Sequence, residues 1–244
     1  MPDSPVALVT GSSSGIGAQV ARRLVAEGHR VVVNSVRSVD EGRALAAELG
    51  DGVAHYVQGD VAADGEGARI VADAVAHFGR LDVLVNNAGT TVRIPHGDLE
   101  TATPEVFRRL FDVNVVGAWQ VTVAAVPHLQ AAGGGCIVNV ASLAGVRPTG
   151  SSVPYAVSKA ALNHLTVLLA NVLGPAIRVN AVAPGLIDTP WTADWDDVRG
   201  AVQAMAPLQR SGQPDDVAEV VLSLVRAAYV TGQVWVVDGG LSLR

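Results

Sequence analysis

The sequence predicts a doubly wound α/β domain, a parallel sheet covered by helices on both faces. Three observations carry this. Short apolar runs alternate with longer helix-forming stretches from Val6 to Gly240, with no linker, low-complexity run or internal repeat between them. Hydrophobic residues make up 49% of the 244 residues but aromatics only 4%, so the core is rich in Val, Ala and Leu, as strands buried on both faces require. Glycine and polar clusters fall directly after the apolar runs, where ligands of such sheets bind.

Taken in order, Val6 to Thr10 is an apolar strand ending in a glycine-rich turn, and Gly15 to Glu27 is a helix stopped by Gly28. Arg30 to Asn34 is the second strand, with Val31-Val32-Val33 at its centre, and a helix follows over Asp40 to Leu49. Val53 to Val57 is the third strand, ending at Gly59-Asp60, and Asp64 to Phe78 is helical. Leu81 to Val85 is the fourth strand, closed by Asn86-Asn87-Ala88-Gly89. Thr103-Pro104-Glu105 starts a helix, with Thr103 placed to cap it and Pro104 at the first helical position. That helix runs to about Leu129, and Pro127 bends it or marks its end. Cys136 to Ala141 is the fifth strand, Tyr155 to Leu173 a helix and Ile177 to Val182 the sixth strand. An irregular stretch from Pro184 to Asp196 leads into short helices reaching about Arg226. Val234 to Val237 is the last strand, followed by Asp238-Gly239-Gly240.

The formal charge of −6 argues against nucleic acid or an anionic membrane as a partner, since both need a basic footprint. Cys136, the one cysteine, excludes an intrachain disulfide and reads as a small buried hydrophobe. The histidines His29, His55, His77, His96, His128 and His164 form no close-spaced ligand motif, so no metal site is expected. Met1 to Pro5 carries no basic or apolar targeting segment, and no uncharged apolar run is convincing as a transmembrane helix. The expectation is a soluble cytoplasmic protein.

Tyr155 and Lys159 are spaced to lie one turn apart on one helix face. An ammonium beside a phenol favours the phenolate, which would lower the tyrosine pKa and suit it to exchange protons with a carbonyl or alcohol oxygen. Taken alone, the pair reads more readily as a surface contact, since Tyr-x-x-x-Lys occurs often by chance. Thr10-Gly11-Ser12-Ser13-Ser14-Gly15-Ile16-Gly17 joins the first strand to the first helix. Glycines there let the backbone approach a pyrophosphate, and the helix N-terminus attracts its charge. The spacing is G-x-x-x-G-x-G, and its position after the first strand favours a nucleotide over an ordinary turn. Asn114 lies within the apolar run Val113 to Val116, where an asparagine is mildly unfavourable for a helix and invites a polar role.

These motifs together resemble the short-chain dehydrogenase/reductase family, in its single-domain type and in the style of 3-oxoacyl-carrier-protein reductases. The match runs from about Val6 to Gly240 through Thr10 to Gly17, Asp60-Val61, Asn86 to Gly89, Asn114, Ser142, Tyr155 with Lys159, Pro184-Gly185 and Val237 to Gly240. The resemblance implies one Rossmann-like domain over residues 1–244, a seven-stranded parallel sheet in the order 3-2-1-4-5-6-7, and a substrate lid at about residues 184–205. It implies Tyr155 as the acid or base, and Lys159 lowering its pKa while binding the nicotinamide ribose. Ser142 would donate to the substrate oxygen, and Asn114 would hold a water that links Lys159 to solvent.

It places the cofactor against Gly11, Ser13, Ser14, Gly15, Ile16 and Gly17, with Asp60 and Val61 at the adenine. Asn87, Ala88 and Gly89 would lie by the ribose, or serve the central strand alone. Pro184, Gly185, Ile187 and Thr189 would shape the nicotinamide pocket. Leu143, Val146 and Thr149 would face the substrate, and Trp191 and Trp195 would wall an apolar pocket from one helix face or else pack in the core. A homotetramer is implied, formed through the long helices and, at a second interface, near Leu241 to Arg244. The surplus apolar surface of the two long helices points the same way.

The end of the second strand bears on cofactor choice. Asn34-Ser35-Val36-Arg37-Ser38 holds no acid to bind both ribose hydroxyls, and Arg37 offers a fork for a 2′-phosphate. NADP(H) is therefore favoured and NAD(H) possible. Ser14 stands where NADP-using relatives often carry a base, and it supplies no second charge. The stretches Leu129 to Gly135 and Leu168 to Gly174, where related enzymes dock an acidic carrier protein, contain no Lys or Arg. The expected activity is hydride transfer between NADP(H) and a small-molecule carbonyl or secondary alcohol. The alternatives are an NAD-linked alcohol dehydrogenase and a catalytically idle dinucleotide sensor or scaffold.

Overall fold

A computed structural model describes residues 4–244. Strands β1 (Val6–Val9), β2 (Arg30–Ser35), β3 (Ala54–Gln58), β4 (Val83–Asn86), β5 (Gly135–Val140), β6 (Ile177–Pro184) and β7 (Val234–Val237) form one sheet in the order β3-β2-β1-β4-β5-β6-β7. Every pairing is parallel. Strand order and class agree with the sequence reading.

The period-2 alternation of each strand sends successive side chains to opposite faces. Ala7, Val9, Val31, Val33, Val83, Val85 and Val138 pack under helices α1 (Gly15–Ala26), α2 (Val39–Leu49) and α8 (Pro214–Arg226). Val6, Leu8, Val32, Leu84, Ile137 and Val179 face the other way, under α3 (Glu66–Phe78), α5 (Ala118–Ala131) and α6 (Val153–Leu173). A one-residue slip in any central strand would exchange these two sets. Cys136 is buried in the first core, and burial pushes its thiol up to about 11, so it stays an inert thiol.

Three sequence expectations change in detail. Thr103 holds the N-cap position of α4 (Pro104–Phe111), but its side chain makes no capping bond. Pro127 lies inside α5 and does not end it. The irregularity falls earlier, in a π-helical turn over Asp112–Gly117 that joins α4 to α5. Two helical stretches, Pro104–Ala131 and Val153–Leu173, do reach the length and apolarity of a membrane span. Both lie against the sheet on one side, and their outer sides expose Trp119, Val123, Leu168 and Val172. Among the described residues no group of three or more metal-ligating side chains occurs, although the His55 and His77 rings stack at 3.9 Å beside Asp73.

Candidate active site

The carboxyl ends of β1, β2, β4, β5 and β6 open into a cavity of about 770 Å³. Its floor is the β1–α1 turn. Gly11 and Gly15 adopt φ of +60° and +56°, a region that disfavours side chains, and a Cβ on Gly11 would meet the Ala88 backbone at 2.7 Å. Thr10 and Asn87 knit this turn to the end of β4. Asn87 Nδ2 donates to the Thr10 and Gly11 carbonyls at 3.0 and 2.8 Å, and Thr10 Oγ1 accepts from the Asn87 and Ala88 amides at 3.1 and 3.0 Å. The start of α1 is thereby held open to the cavity with no acidic residue in its first turn, which suits an anion such as a pyrophosphate.

Ser13, Ser14, Gly15, Ile16, Ser35, Arg37, Asp60, Val61, Asn87, Ala88, Gly89, Pro184, Gly185, Ile187 and Thr189 all line this cavity, as do Ser142, Leu143, Thr149, Tyr155, Lys159, Trp191 and Trp195. Three residues expected at the cofactor or the chemistry lie behind its wall. Gly17 is buried, and a Cβ there would meet Asn87 Nδ2 at 2.4 Å, so its role is close packing. Asn34 is also buried. Its Oδ1 accepts from the Gly11 amide at 3.2 Å, and its Nδ2 donates to the Val57 and Gly59 carbonyls, both at 3.1 Å. It braces the glycine turn, leaving Ser35 and Arg37 to face the cavity.

Asn114 sits in the π turn. Its Oδ1 accepts from the Thr90 amide at 2.8 Å, and its Nδ2 donates to the Thr90 carbonyl and Ser158 Oγ, both at 3.0 Å. The side chain is thus committed to protein partners and positions α6 beside the β4 loop. Val146 is exposed and lies outside the cavity wall.

Ser152 caps α6 by accepting from the Tyr155 amide at 3.3 Å, which fixes where the helix delivers Tyr155 and Lys159. Ser142, two residues beyond β5, caps a 3₁₀ turn (Leu143–Gly145) and accepts from the Ala144 amide at 3.2 Å. This leaves its hydroxyl hydrogen free, and Ser142 and Tyr155 line the same cavity, close enough for the serine to act on the phenol's pKa. Lys159 is 3% exposed, and its Nζ donates to the Val140 carbonyl at 2.9 Å and lies 5.9 Å from the Tyr155 ring centroid.

The proton states differ from those the Tyr-Lys spacing implied. Burial raises the Tyr155 pKa above its ordinary value, and Ser142 pulls the other way without cancelling it. Burial lowers Lys159 to about 8. Lys159 still carries its charge at neutral pH, but its ammonium is turned towards the Val140 carbonyl and does not offset the burial of the phenol. At neutral pH Tyr155 holds its proton, the state from which it can donate to a carbonyl oxygen.

The segment of residues 184–205 contains a 3₁₀ turn (Pro190–Thr192) and helix α7 (Asp196–Met205), with Trp195 at the N-cap of α7. The two tryptophans therefore share no single helix face, yet both reach the cavity. Sequence reasoning missed Thr90, Thr91, Arg93 and Ile94 of the loop after β4, and Val198 and Val202 of α7, all of which line the cavity. Only the position of that loop at a strand's carboxyl end could have signalled them.

Comparison with known proteins agrees with this geometry. A family model described as enoyl-(acyl carrier protein) reductase matches residues 11–242. The "Granaticin polyketide synthase putative ketoacyl reductase 2" of Streptomyces violaceoruber is 60% identical over 99% of this chain and 98% of its own. A 3-ketoacyl-(acyl-carrier-protein) reductase from Brucella melitensis, solved with NADH, superposes with a TM-score of 0.91 at 33% identity, covering 99% of this chain and 100% of that one. ElxO with NADP bound gives a TM-score of 0.89 at 29% identity, over 99% and 100% of the two chains. With fold, cavity and relatives in agreement along nearly its whole length, the chain belongs to the short-chain dehydrogenase/reductase family and is an oxidoreductase.

Proposed function

We propose that this protein is an NADPH-dependent reductase of ketones, with a 3-oxoacyl chain of the polyketide type as the favoured substrate class. The observation that carries the reduction is the convergence of Ser142 and a protonated Tyr155 at one end of the cavity. The substrate class rests on the 60% identical Streptomyces relative, whose name assigns it ketoacyl reduction.

The wall residues fit a nicotinamide dinucleotide: a glycine cradle with no room for a Cβ at Gly11, an acid-free helix start, and Arg37 at the far rim. Gly11 to Ile16 would hold the pyrophosphate, Asp60 and Val61 the adenine, and Ser35 and Arg37 a 2′-phosphate. Asn87 to Gly89 and Lys159 would hold the nicotinamide ribose, with Pro184, Gly185, Ile187 and Thr189 around the ring. When bound, the cofactor supplies the hydride.

The chain's own residues do the rest. Ser142 Oγ–H donates to the carbonyl oxygen and orients it. Tyr155 Oη gives that oxygen the proton that completes the alcohol, and the phenolate left behind recovers a proton from solvent. Lys159, when charged, steadies the phenolate during that interval. Leu143, Thr149, Trp191 and Trp195 would shape the substrate end, under a lid spanning residues 184–205.

We further propose a cytoplasmic homotetramer. Val116, Trp119 and Val123 of the π turn and α5, with Val157, Val167, Leu168 and Val172 of α6, leave an apolar surface that a second copy would cover. Loss of NADPH fluorescence on adding an acetoacetyl thioester tests the reading. No loss with that substrate or with a panel of simple ketones would refute it.

A further inference from the structure

Two walls of the cavity face each other across its mouth: the loop after β4, residues 87–96, and the segment of residues 184–205. Among the described residues one side-chain hydrogen bond spans them, from Arg93 Nη2 to Asp197 Oδ2 at 2.8 Å. The same guanidinium lies over the Trp195 ring, with Cζ 5.3 Å from its centroid. Arg93 and Trp195 both line the cavity, so this tie sits at the entrance.

Behind the tie, the segment is braced as a single piece. Arg199 Nε donates to Asp188 Oδ1 at 2.9 Å, its Nη1 to Asp196 Oδ1 at 2.5 Å and its Nη2 to the Thr192 carbonyl at 3.1 Å. Thr192 Oγ1 donates to the Ile187 carbonyl at 2.7 Å. The base is anchored by Gln213 Nε2, which donates to Asp188 Oδ2 at 2.9 Å, and by the bridge between Ile187 and Gly212. A braced piece, fixed at its base and tied once at its far edge, has the construction of a lid with a latch.

We propose that Arg93 is that latch, holding the far edge of the lid over the carbonyl-binding end of the cavity through Asp197 and Trp195. This rests on reading residues 184–205 as the substrate lid. Arg93 is a positioning residue and touches no reacting atom. Its strength suits the task. The Arg93 and Asp197 side chains are 44% and 68% exposed, so the pair is screened by water and salt. With the modest gain from stacking on an indole, it biases the lid towards closure by about three- to tenfold. Such a bias breaks and reforms within each turnover.

The test has one arm that needs no turnover. Trypsin cleavage after Arg199, inside the lid, is timed for wild type, Arg93→Met, Asp197→Asn and the double variant, with circular dichroism and melting checked for each. Each single variant is expected to be cut about three- to tenfold faster, and the double variant no faster than either. The second arm measures reduction of an acetoacetyl thioester. KM is expected to rise by a similar factor in both single variants, with kcat kept or raised and NADPH affinity unchanged. Unaltered cleavage rates in both variants would overturn the latch. So would a lower KM in Asp197→Asn beside a higher one in Arg93→Met, since Arg93 would then be binding substrate itself. If wild type reduces no ketone, the reductase reading fails, while the cleavage rates still decide the latch.

Discussion

Lys159 and Tyr155 share one face of α6, and burial drives both towards their neutral forms: the lysine down to about 8 and the tyrosine above its ordinary value. The lysine's shift ties stability to pH. In the unfolded chain it binds its proton up to its ordinary value of 10.5, whereas the folded protein releases it near 8. Between those values the unfolded state holds more protons, so stability rises with pH. Below about 8 both states are charged, and the buried ammonium costs on the order of 3 kcal/mol. Lys159→Met should raise the melting temperature of the cofactor-free protein at pH 7 and flatten its rise from pH 8 to 10. A wild-type melting profile that falls across that window while the variant's stays level would contradict the assignment.

The same titration should show in catalysis with the opposite slope. If a charged Lys159 steadies the phenolate after proton transfer, kcat/KM for reduction falls as pH passes about 8. Lys159→Ala should lose both turnover and cofactor affinity. A kcat/KM level to pH 10 would remove Lys159 from the proton chemistry.

Cofactor preference is expected to turn on Arg37. It is exposed at the cavity rim, and no carboxylate pairs with it among the described residues. One charge-assisted bond to a 2′-phosphate is worth roughly 1.5–3 kcal/mol, reduced by that exposure. NADPH should therefore be preferred over NADH by about tenfold in kcat/KM. Arg37→Ala should erase most of the ratio and leave NADH turnover intact. An unchanged ratio would place the discrimination elsewhere.

An acid at Asn34, in the strand end where a carboxylate would bind both ribose hydroxyls, should instead damage the fold. Asn34→Asp replaces an amide that donates to the Val57 and Gly59 carbonyls with an acceptor, in a site 1% exposed. A loss of about 3 kcal/mol or more is expected in chemical denaturation. The cofactor switch belongs at Ser35, which lines the cavity although its hydroxyl donates to the Ser38 carbonyl at 2.9 Å, so Ser35→Asp should favour NADH at a cost in stability. A fully stable Asn34→Asp that prefers NADH would reverse the two roles.

The contrast between these neighbours shows what the sequence could carry. The parallel sheet and both helical layers were legible because the Val-rich runs alternate strictly with helices, while the strand order came from the family resemblance. The ordered motifs brought nearly all the expected residues to one cavity. What escaped depends on side-chain direction at strand ends and in irregular turns. Nothing in Asn34-Ser35 says which one faces in. Nothing in Asn114 predicts that its amide is spent on Thr90 and Ser158, and Arg93 belongs to no periodic pattern.

The apolar outer sides of α5 and α6 give a prediction for assembly. Trp119→Glu with Leu168→Glu should convert the proposed tetramer to smaller species by light scattering, because both positions are exposed in the single chain. A wild-type monomer at micromolar concentration would contradict it.

The central claim is that Tyr155 delivers the proton. Single-turnover reduction of an acetoacetyl thioester by Tyr155→Phe, set beside its NADPH affinity, tests this most directly. The ring and its packing are kept and only the transferable proton is removed, so turnover should fall by about a thousandfold or more while NADPH binds within a few-fold of wild type. Near-normal turnover in Tyr155→Phe would show that another group supplies the proton.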